Sequence, residues 1–269
     1  MPRSPAVPWT RDHQLIALNL YRKIPFGHYD KGKPIVIQLA ALMGRTPSSL
    51  AMKLSNFASL DPYHKARGVG GLQGATKDDR LMWEEFQNNL SALGPESEQL
   101  VHDLFTSDNS LEIDFLESKT AKTVTPRTYA GIKTEGVASV KVRRGQQFFR
   151  QSILNAYELR CCISGLNIPR LLVASHIRPW SDFPDDRLDP RNGLCLSTLH
   201  DTAFDSGLIT LNENLEVRLS PRLKAHLPQQ SLEVNFLAFE GKPIRLPVKL
   251  TKPDDEFLHH HRSHIYLEE

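Results

Sequence analysis

The chain has 269 residues, 40% of them hydrophobic and 24% charged, with a net charge of +2. That length suffices for a sizeable core and for two domains, while the near-balanced charge excludes a surface that is basic all over. Three cysteines exclude a disulfide framework and a four-cysteine structural zinc site. No run of about 18 apolar residues suggests a membrane span, and the first residues lack the apolar core of a signal peptide, so a cytoplasmic protein is expected.

In chain order, "WTRDHQLIALNLYRKIP" predicts a helix capped by Thr10 and stopped at Pro25, with Ile16, Leu20 and Ile24 on one buried stripe. A second helix fits residues 34–43, with Ile35, Leu39 and Leu42 inward, and Gly44 ends it. Thr46 and Pro47 then open a third helix whose inward face is Leu50, Leu54 and Phe57. Two short helices on a tight glycine turn make a helix-turn-helix pattern. Its outward face would show Ser48, Ser49, Met52, Lys53 and Asn56, with Arg45 at the entrance, side chains suited to phosphates and base edges. The bland alternative is a helical packing unit with a solvated polar face.

"KARGVGGLQGATKDDR" is glycine-rich but lacks the Gly-Lys-Ser/Thr ending of a phosphate-binding loop and follows no strand, so it reads as a flexible loop. A short helix is expected over residues 81–93. The polar stretch 94–138 reads as a linker, which gives a helical domain at 1–93 and a second domain at 139–269. That second domain opens with "KVRRGQQFFRQSILNAYELRCCISG", a basic turn and a helix with Phe149, Ile153 and Tyr157 inward. Arg143, Arg144 and Arg150 are its candidate contacts to a DNA backbone.

Next, "LLVASHIRPW" gives a short strand ending at His176, and Asn192-Gly193 marks a turn at the end of an Asp- and Pro-rich loop. "LCLSTLHDTAFDSG" leads into a helix that carries His200 and closes at Gly207. Strand, loop and helix in this order is the layout of a small ββα metal site. Further strands are expected near residues 208–211, 215–219, 231–239 and 242–249. "HHHRSH" at residues 259–264 reads as a solvated tail. The fold class is α+β.

Three blocks together, "RRGQQFFRQSILNAYELRCCISG", "ASHIRPW" and "NGLCLSTLHDTAFDSGLI", resemble the HNH endonucleases over about residues 141–219. The likeness is to a zinc-free subgroup found among bacterial restriction and defence nucleases. It implies a general base at His176, a loop-tying role for Asn192 and a metal ligand at His200. It implies one divalent ion, Mg²⁺ or Mn²⁺, and no structural zinc: Cys162 and Cys195 sit where relatives begin zinc pairs, but Gly165 and Thr198 cannot complete them. Ser175 replaces a frequent second ligand, so His200, phosphate oxygens and water would hold the ion, with Asp201 or Asp205 as the candidate carboxylate; helical phase sets Asp205 about 140° from His200, so its expected job is to cap or tie down the "FDSGL" turn. The implied partner is double-stranded DNA, modified or not, cut by a homodimer whose N-terminal domain reads a sequence or a modification. The competing expectation is a DNA-binding regulator with a residual nuclease site.

Overall fold

The structure, a computed structural model, describes residues 8–25, 27–66, 74–109, 111–115, 124–128, 137–248 and 252–269. The glycine-rich loop at 67–73, much of the stretch 116–136 and the end of the strand expected at 242–249 lie outside these residues. The chain divides into two compact units, Met1–Phe148 and Phe149–Glu269.

The first unit is built almost wholly of helices: α1 Arg11–Lys23, α2 Pro34–Leu42, α3 Pro47–Leu60, α4 Pro62–Ala66, α5 Lys77–Asn88 and α6 Leu90–Phe105. Local chemistry accounts for their ends. The Thr10 hydroxyl accepts from the His13 N–H, Thr46 does the same for Ser49, and Thr76 with Asp79 forms a reciprocal capping box on α5. Gly44, at φ +65°, turns the chain from α2 into α3. Leu50, Leu54 and Phe57 of α3 are fully buried with Ile16 and Leu20 of α1, as their spacing predicts. Leu42, expected inward, is instead 41% exposed.

Residues 94–105, which the sequence assigns to a linker, lie within α6. The helix extends because its polar residues have buried partners: Lys23 pairs with Glu98, and Asn19 donates to Glu98 at 2.9 Å and to Ser97 at 3.1 Å. A two-residue ladder joins β1 Leu111–Glu112 to β2 Arg127–Thr128. Helix α7, Val137–Ala156, contains the division between the units.

In the second unit, β3 Leu172–His176 pairs antiparallel with β4 Gly193–Ser197, and α8 Thr198–Asp205 follows directly, capped by Ser197. The register sets His176 opposite Gly193. A Cβ at Gly193 would lie 2.9 Å from Phe149 Cζ and 2.7 Å from Ile153 Cγ1, so only glycine lets β4 pass this close to α7. Strands β5 Ile209–Leu211 and β6 Val217–Leu219 form a separate pair, followed by α9 Pro221–Lys224.

Three expectations fail beyond this point. Residues 231–239 form no strand but helix α10 Gln230–Asn235 and a 3₁₀ turn, Leu237–Phe239. Phe236 and Phe239 recur at helical spacing and both meet the ring of His200 edge-on. Residues 242–248 form no strand; Pro243 makes an isolated bridge to Glu216, with the Val217 N–H donating to the Lys242 carbonyl and the Ile244 N–H to the Leu215 carbonyl. The histidine-rich segment is no solvated tail: it forms α11 Asp255–His264, with Phe257, Leu258 and His261 buried.

Candidate active site

Three histidines in the second unit share one arrangement and differ in a single atom. His176, His200 and His261 each set Nε2 against a backbone carbonyl: Arg187 at 3.0 Å, Asn235 at 2.8 Å and Phe204 at 3.0 Å. A carbonyl can only accept, so Nε2 carries the proton in all three, and Nδ1 is the basic nitrogen of the neutral ring. At His200 that nitrogen faces Ser197 Oγ at 3.0 Å and Cys161 Sγ at 3.5 Å; at His261 it faces Thr210 Oγ1 at 2.9 Å. At His176 no such partner occurs among the described residues.

The His176 ring is fixed on two sides. Phe149 stacks on it with ring centres 4.0 Å apart, and Trp180 meets it edge-on at 5.2 Å. Burial lowers its pKa below the usual histidine value, partly offset by the Arg187 carbonyl, so the ring is neutral near pH 7. Sequence reasoning took Phe149 only for a core residue, because a ring-on-ring contact between a helix and a strand end leaves no local periodicity.

Asn192 is buried and does not reach His176. Its Oδ1 accepts from the Arg178 N–H at 2.7 Å, and its Nδ2 donates to the carbonyls of Asp186 at 3.1 Å and Arg178 at 3.3 Å. It therefore closes the loop 178–192, and with it the position of Arg187, whose carbonyl orients His176. Asn192 is a positioning residue.

His200 is not placed as the metal ligand that the sequence suggests. Its ring is 3% exposed, and both nitrogens are held by protein groups. Burial opposes a charged ring here, but the bonds to Cys161 and the Asn235 carbonyl outweigh it and raise the pKa. Burial likewise opposes a thiolate at Cys161, yet bonds from His200, Ser164 and Ser197 bring the thiol down to about 6. His200 and Cys161 thus form an internal clasp between α8 and the turn after α7. Cys162 and Cys195 are buried, as core-packing cysteines should be.

The carboxylates of α8 stand elsewhere. Asp201 and Asp205 are one helical turn apart on the same face, and Asp201 lies beside the Ser175 hydroxyl, one residue before His176. Burial raises both pKa values; Asp205 reaches about 6, with a further push from the charge of Asp201. Two close carboxylates that repel each other and resist ionisation suit a hard divalent cation. No group of three or more His, Cys, Asp or Glu gathers to hold a metal among the described residues.

The candidate DNA contacts fare unevenly. Arg45 is half-buried over Trp9, Ser48 is exposed and Ser49 half-buried. Lys53 and Asn56 are inside, both joined to Asp79, because α5 packs on the face expected to be free. Arg143 donates to the Asn109 carbonyl, and Arg144 bonds Gln99, Asn109 and Gln147, so both are interior ties. Arg150 donates to the carbonyls of Leu172 at 2.7 Å and Pro169 at 3.4 Å, bracing the entry to β3.

No helix among the described residues is long and apolar enough to cross a membrane. No curated protein matches the chain. Residues 161–212 match the family model of the HNH endonucleases, a span that includes His176, Asn192, His200, Asp201 and Asp205. The chain carries an HNH endonuclease domain, in the ββα core of its second unit.

Proposed function

We propose that the protein is a metal-dependent DNA endonuclease in which His176 is the general base. The observation that carries this reading is the uncommitted Nδ1 of His176, set against the committed Nδ1 atoms of His200 and His261. HNH nucleases generally use a divalent metal, and here Asp201 and Asp205 would hold it, the rest of its shell coming from water and substrate phosphate. Such an ion, Mg²⁺ or Mn²⁺, neutralises charge on the phosphate and on the leaving oxygen.

The remaining chemistry belongs to the chain. His176 Nδ1 takes a proton from the attacking water as its oxygen bonds to phosphorus, and the phosphorus–oxygen bond to the leaving strand end breaks. The leaving oxygen is protonated by solvent. The Arg187 carbonyl steadies the imidazolium, and Phe149 keeps the ring from turning.

His176→Ala should abolish cleavage while leaving thermal stability and DNA affinity nearly unchanged, because the base acts only in the chemical step. Cleavage within about tenfold of the parent rate would overturn the role.

The restriction or defence setting rests on the sequence resemblance and on the presence, in the same chain, of a separate helical unit and an HNH core that reads little sequence by itself. In that unit the recognition face narrows to Arg45, Ser48, Ser49 and the exposed Met52, since Lys53 and Asn56 are withdrawn.

A further inference from the structure

The loop 178–192 carries three arginines, and two are paired with carboxylates. Arg178 pairs with Asp186 at 3.0 Å and Glu256 at 2.7 Å, and Arg191 with Asp189 at 2.6 Å and Asp254 at 2.8 Å. Arg187 differs. Its Nε donates to the Trp180 carbonyl at 2.7 Å and its guanidinium lies 5.1 Å from the Trp180 ring centre, but no carboxylate among the described residues pairs with it. It is half-buried, and both of its Nη atoms remain uncommitted.

Its position is what gives this weight. The backbone carbonyl of Arg187 orients His176, and Trp180, which its side chain braces, touches the His176 ring. One residue therefore sets the catalytic imidazole with its backbone and holds an anchored cation, with no carboxylate partner among the described residues, against Trp180, whose ring meets that imidazole edge-on. A guanidinium whose Nε is already anchored presents two parallel N–H donors with little rotamer freedom left, which is the geometry that matches two oxygens of a phosphate. A loop rich in aspartate, with Asp182, Asp185, Asp186 and Asp189 near at hand, would ordinarily neutralise such a group.

We propose that Arg187 is a catalytic residue: its Nη1 and Nη2 donate to the non-bridging oxygens of the scissile phosphodiester while His176 takes the proton of water. The proposal rests on the nuclease reading above. The negative charge on those oxygens grows as the new bond forms, so donors fixed in advance favour the transition state over the bound substrate.

The test compares Arg187→Ala and Arg187→Lys with the parent chain under single turnover, on duplex DNA at saturating Mg²⁺ or Mn²⁺. Arg187→Ala should lose about 10²–10³-fold in cleavage rate, the usual cost of one preorganised donor. DNA affinity and melting temperature should change little, the acid limb of the pH–rate profile should stay in place, and added guanidinium ion should restore part of the rate. Arg187→Lys, which keeps charge but not the fork, should be intermediate. A rate within threefold of the parent would overturn the proposal. So would a loss that comes with a displaced acid limb and no rescue, which would make Arg187 a positioning residue acting through His176. A parent chain that cuts no DNA with either metal, or a fully active His176→Ala variant, overturns the nuclease reading and this proposal with it; normal behaviour of both beside an active Arg187→Ala overturns only the proposal.

Discussion

A histidine that must accept a proton from water near neutrality has to be neutral and to present the correct nitrogen. Burial meets the first need at His176 and the Arg187 carbonyl the second. The sign of the shift gives a pH prediction. Because the folded pKa lies below the ordinary 6.5, the basic form survives further into acid, and the midpoint of the acid limb of the cleavage rate at saturating metal should lie below pH 6.5. Asp205 titrates near about 6, so the metal concentration giving half-maximal rate should rise as pH drops through that value. Mg²⁺ titrations of the rate across pH 7.5 to 5.5 check both points; an acid limb at saturating metal with its midpoint above pH 6.5 would count against His176 as the base. The family resemblance gave His176, Asn192 and His200 their expected roles, but the residues alone could not show which of their nitrogens are already engaged. The atoms that decide it are backbone carbonyls of Arg187, Asn235 and Asp186, and any residue at those positions would supply the same oxygen. The i, i+4 spacing of Asp201 and Asp205, by contrast, was legible in the sequence, once the helix was known to reach residue 205.

At the scale of elements, α11 secures both sides of the site. The Asp254 N–H donates to the Arg191 carbonyl at 3.1 Å and Glu256 holds Arg178, so the start of α11 fixes the loop that orients His176. Its end fixes α8: His261 stacks on Phe204 with ring centres 3.7 Å apart, and the Leu267 N–H donates to the Gly207 carbonyl at 3.0 Å. Gly207 makes this approach feasible, having φ +69° and standing where a Cβ would collide with the Ile265 carbonyl. Gly207→Ala should therefore destabilise the nuclease unit by more than the roughly 1–2 kcal/mol that a left-handed conformation alone costs. A urea midpoint unchanged from the parent would show that α11 does not bear on α8 in solution. The helix pairs of the first unit were readable because Thr10, Gly44, Thr46 and Pro47 mark their ends. Helix α11 was not, because three consecutive histidines look solvated until Thr210 and Phe204 are seen to receive the last one, His261. Residues 231–239 misled for a related reason: alternating apolar side chains suggest a strand, yet Val234 is 60% exposed and the phenyl groups follow a helical turn.

At the scale of the whole molecule, two units imply that cutting and choosing can be separated. A fragment of residues 141–269, which keeps Phe149 and Ile153, should still cleave in the presence of metal, slowly and with little site preference; should it retain the full preference of the intact chain, recognition lies in the nuclease unit and the helical unit has another task. The first unit holds two buried ion pairs, Lys23 with Glu98 and Lys53 with Asp79, and removing one partner of either would be costly because it strands the other charge. The family match covers residues 161–212, yet the groups that make those residues work lie outside it on both sides: Phe149 before, and Asn235, Asp254, Glu256 and His261 after. Anyone grafting this nuclease onto a different recognition module would, by cutting at the family borders, transplant the imidazole and the carboxylates and leave their scaffolding behind. The smallest transferable block runs from the middle of α7 through the last turn after α11.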